Sequence, residues 1–198
     1  MKVILRVNVI LGLILCCQAG WADSEAPAEP IVTVSENRRC FFKMIPAKRV
    51  RRGRRLQTVR EAFGAAYRVE DDGQLTELWK TSGWYNFEVL LSNDGKYLVR
   101  VGSHPAGSRP EAKDLGVAFY KNGQLLKSYS TAELVKDPRK VMATASHYMW
   151  LARDVAAEPD FDSELRLEWE NVFRLKTIDG VAYEFDATTG QIKGTRKP

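Results

Sequence analysis

Lys48-Arg49-Val50-Arg51-Arg52-Gly53-Arg54-Arg55 places six bases in eight residues. Like charges at that density repel one another, so the stretch is expected as an exposed basic loop over 47–60 or a strand end. Arginine outnumbers lysine in it, and the planar guanidinium fork suits bidentate contacts with phosphate or carboxylate. Lys48, Arg49, Arg51, Arg52, Arg54 and Arg55 are therefore the candidate anion-binding residues. They belong to a longer polarity: ten basic and no acidic residues lie between Arg38 and Arg60, whereas Asp154 to Glu170 holds seven acids and only Arg166. Either the bases serve an external anion, or the acidic segment balances them within the chain. Because the counter-charge is already present, the sequence leans toward the second reading. No aromatic residue interleaves the cluster, which disfavours nucleic acid as the partner.

Other chemistry is sparse. His104 and His147 are the two histidines, and no local spacing of ligands supports a metal site. A Gly-x-Ser-x-Gly turn and a Gly-rich phosphate loop are both missing from the sequence, so no catalytic residue, metal or cofactor is assigned. The alternative to a binding role is a small envelope hydrolase. It would use carboxylates of 154–164 with His104 or His147, as paired carboxylates do in glycoside hydrolysis.

The elements that must carry these residues begin with an export signal. Met1-Lys2 and Arg6 precede nine apolar residues from Val9 to Cys17, and Gly20-Trp21-Ala22 puts small residues where a signal peptidase reads. The apolar run is too short for a membrane span, which needs about 20 residues. Residues 1–22 are thus expected to be removed, leaving a flexible leader at 23–30 and one domain over 31–198, periplasmic or extracellular. Leu15 before Cys16 and Cys16 before Cys17 are poor contexts for a lipid anchor. With those two cysteines gone, Cys40 has no disulfide partner and is expected as a buried small hydrophobe.

From Ile31 onward, short alternating apolar runs are broken by Asp72-Gly73, Asp94-Gly95, Asn122-Gly123 and Asp179-Gly180. Such dipeptides supply the positive φ that tight hairpins require, so at least four hairpins are predicted. Around Asp94-Gly95, alternation groups Phe87, Val89 and Leu91 with Tyr97, Val99 and Val101 on one apolar face. Around Asp179-Gly180 it groups Phe173, Leu175, Val181, Tyr183 and Phe185. Ser130 and Glu133 have capping-box spacing, and Pro138 suits the first turn of a second helix, so one or two short helices are expected near 131–145. Ser35 to Lys43 repeats faintly as Ser92 to Arg100. Units of this kind occur in propeller blades, yet closing a ring would consume the whole mature chain. The fold class is therefore mainly β: antiparallel, hairpin-rich, and either an open twisted sheet or a two-layer sandwich.

Through these turns and the ending Tyr183-Glu184-Phe185-Asp186-Ala187-Thr188-Thr189-Gly190-Gln191-Ile192, the chain resembles a group of uncharacterised exported bacterial proteins built from polar-turn hairpins. The resemblance spans Val32 to Pro46 and Trp79 to Ile192, implies no catalytic residues, and leaves the arginine cluster outside. The expected role is an exported binding module, non-enzymatic, meeting an anionic envelope component or an acidic protein.

Overall fold

A computed structural model describes residues 27–154 and 165–197. The expected signal peptide, Cys16, Cys17 and the carboxylates of 155–164 lie outside the described residues. At the end of the expected leader, the Tyr85 hydroxyl donates to the Glu29 carbonyl at 2.7 Å.

Three four-stranded antiparallel sheets carry the chain. The first contains β1 (Ile31–Val34) and β2 (Cys40–Ile45), an inserted hairpin of β3 (Lys48–Arg52) and β4 (Arg55–Arg60), then β5 (Phe63–Val69) and β6 (Leu75–Ser82). Its strand order is β1-β2-β5-β6, with β3-β4 paired separately. The second runs through β7 (Val89–Leu91), β8 (Tyr97–Val101), β9 (Leu115–Lys121) and β10 (Gln124–Ser130), each beside the next. A short hairpin of β11 (Met142–Ala143) and β12 (Tyr148–Met149) leads to the third sheet. That sheet is β13 (Arg166–Leu167), β14 (Val172–Lys176), β15 (Ala182–Asp186) and β16 (Gln191–Arg196), again in chain order. The architecture is mostly strand, antiparallel and open.

All four expected glycine turns form hairpins, but their chemistry differs. Only Asn122-Gly123 has both residues at positive φ, +49° and +79°, as a two-residue turn of this twist requires. Gly73, Gly95 and Gly180 take positive φ alone, each at the fourth position of a longer turn whose glycine N–H donates to the carbonyl three residues back. Asp72 and Asp94 close their turns by accepting from the N–H two residues ahead.

The faint repeat is real in three dimensions. Ser35 and Ser92 are buried, and each hydroxyl accepts the N–H five residues on while donating to the side chain two residues on. Arg38 and Gly95, at the matching position, both have positive φ. The two turns also join: the Asn37 N–H donates to Asn93 Oδ1 at 2.8 Å, and Asn37 Nδ2 donates to the Asn93 carbonyl.

The middle sheet is buried on both faces. Phe42, Met44 and Trp79 of the first sheet pack on Val89, Leu91, Leu98 and Tyr120. Val99, Val101 and Phe119 pack on Phe173, Leu175, Tyr183 and Phe185 of the third sheet, with Trp150 and Leu134 alongside. This corrects the grouping of Val89 and Leu91 with Val99 and Val101. The ladder pairs Leu91 with Leu98 and Leu90 with Val99, so the two sets face opposite ways. Apolar alternation cannot reveal register when both faces are buried, and one residue of slip exchanges them. The C-terminal grouping is as expected, with Phe173 opposite Phe185 and Leu175 opposite Tyr183.

Helix is confined to short pieces. The capping box closes at α1 (Thr131–Leu134), where Ser130 and Glu133 exchange bonds. Pro138 opens a 3₁₀ turn to Lys140, capped by Asp137. The lone Cys40 is buried against this core, as expected, and burial pushes its thiol above the ordinary range.

Candidate functional site

The arginine cluster is exposed, as expected, and its backbone is paired strand in place of a loop. It is a hairpin that continues out of the first sheet between β2 and β5, with Arg52 opposite Arg55 and Lys48 opposite Arg60. Gly53, at φ +61°, turns the chain. The reason lies in the flanking ladder: β2 and β5 are antiparallel neighbours ending at Ile45 opposite Phe63, which holds the intervening chain as a ready-made hairpin. Five paired positions at about 3.4 Å each give it a reach of about 17 Å.

The hairpin buries almost nothing. Every residue of it except Val50 is exposed, including Leu56 at 62% and Val59 at 47%. Arg49, Arg51 and Leu56 share one side, while Val50, Arg52 and Arg55 share the other, so charge is displayed on both. Among the described residues, Lys48, Arg49, Arg51, Arg52, Arg54 and Arg55 make no side-chain hydrogen bond or ion pair. The remaining bases of the Arg38–Arg60 stretch are partly engaged nearby. Arg39 pairs with Asp71, Lys43 lies over the Tyr67 ring, and Arg60 donates to the Pro46 carbonyl while stacking on Phe63.

Of the described acids expected to balance the cluster, Asp154 and Glu168 are committed elsewhere, while Glu170 is exposed on the rim of a cleft. Glu168 and Glu184 both pair with Arg174 within the third sheet. Asp154 lies beside Arg153, which also pairs with Glu88. Burial pushes the Asp154 carboxyl above the usual carboxylate range, with Arg153 and His104 pulling it partly back.

The two histidines, distant in sequence, come together. Their rings meet edge to face with centroids 4.8 Å apart, because the loop after β8 bridges to the β11–β12 turn at Ala106 and His147. His104 has φ +52°, a left-handed conformation uncommon for a residue with a side chain. His147 is buried, with its Nδ1 3.1 Å from the Thr144 hydroxyl. Sequence spacing could not have announced this pair, since it depends on loop docking.

A cleft of about 610 Å³ opens where the first strands of the three sheets converge, between Val34, Leu90, Leu167 and the exposed Trp169. Glu36, Glu168 and Glu170 rim it. It displays charge opposite to that of the hairpin.

No family model matches the chain, and no curated protein matches it. Among solved structures, a crystal structure of HIRA(644–1017) is a distant neighbour, with a TM-score of 0.37 and 14% identity over 85% of this chain and 53% of that one. The chain thus spans about half the length of that neighbour.

Proposed function

We propose that the protein is an exported binding module, periplasmic or secreted, that engages an anionic partner through the β3–β4 hairpin. The observation that carries this reading is a protruding two-stranded hairpin whose six bases have no counter-charge among the described residues. Isolated two-stranded hairpins are marginal in water, and like charges directly opposite one another weaken them further. Such an element gains its counter-charge from an anion beyond the described residues, and an external partner supplies one without further cost to the fold. The fitting partner is a polyanionic surface of the envelope, since charge on both sides of the hairpin suits an extended anionic array better than a single small ligand.

Replacing Arg51, Arg52, Arg54 and Arg55 by Gln tests it. Sedimentation with phosphatidylglycerol vesicles, or retention on an anionic polysaccharide, should fall by at least about tenfold, as expected when several charge contacts are lost together. Binding of the parent protein should weaken steeply between 50 and 200 mM salt. A variant that keeps both its binding and its melting temperature would overturn the proposal, and one that loses stability would return the cluster to a structural role.

The contact between His104 and His147 favours a second reading, a small hydrolase. It predicts that His147→Gln removes hydrolysis of a chromogenic ester or glycoside by the purified protein. Failure of the parent protein to hydrolyse either probe would sink it.

A further inference from the structure

Arg100 is half-buried at the edge of the core. It stands on β8 opposite Val89 and Ala118, on the face that the middle sheet turns toward the first. Its neighbours on that face, Leu98, Val89 and Tyr120, are core residues. The guanidinium lies over the Trp84 ring at 4.6 Å from the centroid, and Trp84 in turn stacks on Tyr120 and near Phe42. The Nε atom is sealed from solvent without a hydrogen-bond partner, and among the described residues no carboxylate pairs with the group. A charged side chain held at the edge of a core without its counter-ion is costly, and a native fold that keeps one has a use for it.

The same side chain lines a pocket of about 260 Å³. Phe87, Pro105 and Leu115 supply apolar walls, and Ser103, Lys113 and Asp114 supply polar ones. Lys113 is mostly neutralised by Glu111, at 2.8 Å. Asp114 Oδ2 accepts from the buried Tyr148 hydroxyl at 2.8 Å, which draws that carboxylate toward the core. With Lys113 paired, Arg100 and Asp114 leave the pocket close to formal neutrality, its one unpaired base being a flat fork with an aromatic ring behind it.

The geometry points to a ligand site in which Arg100, stacked on Trp84, receives the carboxylate of a small monoanion with an apolar body. Planar carboxylate matches the guanidinium fork through two parallel N–H bonds. A dianionic phosphate is disfavoured because Asp114 shares the pocket and would repel the second charge. The apolar walls hold the remainder of the ligand, as in most small-molecule sites. This site is independent of the arginine hairpin, and it needs no residue of it.

Benzoate and inorganic phosphate are the probes. Titrated into the full mature protein, benzoate should shift the Arg100 Nε–H signal in nitrogen-15 NMR saturably, with phosphate producing less effect at equal concentration. Arg100→Lys keeps a charge but loses the fork and should weaken benzoate binding, read by tryptophan fluorescence, by at least about tenfold. Lys113→Gln, at an exposed side chain that folding does not need, should weaken it about threefold and guards against a misfolded Arg100 variant. The four-Gln hairpin variant should bind benzoate like the parent. Absence of a saturable shift, equal affinity in Arg100→Lys and Lys113→Gln, or phosphate binding as tightly as benzoate would each overturn the assignment.

Discussion

At Asp154, burial and charge oppose each other and burial prevails. The carboxyl sits close to Arg153 and within reach of the His104 field, yet desolvation is the larger effect and holds it above its ordinary value. The folded protein therefore binds that proton more tightly than the unfolded chain does. That contribution is fully present below the unfolded value of about 3.9 and is lost as pH rises through the folded one. Asp154→Asn mimics the protonated form, so it should raise Tm at pH 7 and leave it unchanged at pH 3. Thermal melts followed by circular dichroism at both pH values check this. A lower Tm at pH 7 would mean that the Arg153 contact outweighs burial. Arg100 presents the complementary case: a residue type that the sequence shows plainly, whose burial and stacking depend on Trp84 arriving from the preceding connection.

At the scale of elements, turn glycines with nearly the same φ differ in what surrounds them. Gly73, at φ +83°, has open space where a Cβ would stand, whereas at Gly123, φ +79°, a Cβ would lie 2.4 Å from the Lys80 carbonyl oxygen. Lys80 belongs to β6, so the Asn122-Gly123 turn of the second sheet is clamped against the first. Gly73→Ala should cost only the left-handed backbone strain, about 1 kcal/mol. Gly123→Ala adds a collision with backbone and should cost about 2–3 kcal/mol. Urea melts with an unchanged slope would report the difference directly; equal midpoints would contradict the packing described. The turns themselves were legible in the sequence, because positive φ is a local demand that glycine and asparagine meet locally. Their clamping was not, because it comes from another sheet.

For the whole molecule, the two cores lie on either side of the middle sheet, and the arginine hairpin contributes to neither. Replacing Lys48–Arg60 by a Gly-Asn-Gly link should shift Tm by less than about 4 °C, the equivalent of about 1 kcal/mol for a chain of this size. Anion binding should vanish with it. A larger loss of Tm would show that the hairpin stabilises the first sheet through contacts other than its ladder.

By itself the sequence determined the strand class, the sites of the four glycine turns, the capped helix at Ser130 and the concentration of bases from Lys48 to Arg55. Each of these rests on residues within a few positions of one another, where backbone geometry, capping and charge density act. Tertiary structure decided the rest. Within the expected open antiparallel class, packing decided that there are three sheets, since only packing shows that both faces of the middle sheet are covered. The loop became a hairpin because β2 and β5 are neighbours in the ladder. The acids of Glu168 and Glu184 went to Arg174, and His104 met His147, because partners far apart in the chain are chosen by the fold and leave no mark in local spacing.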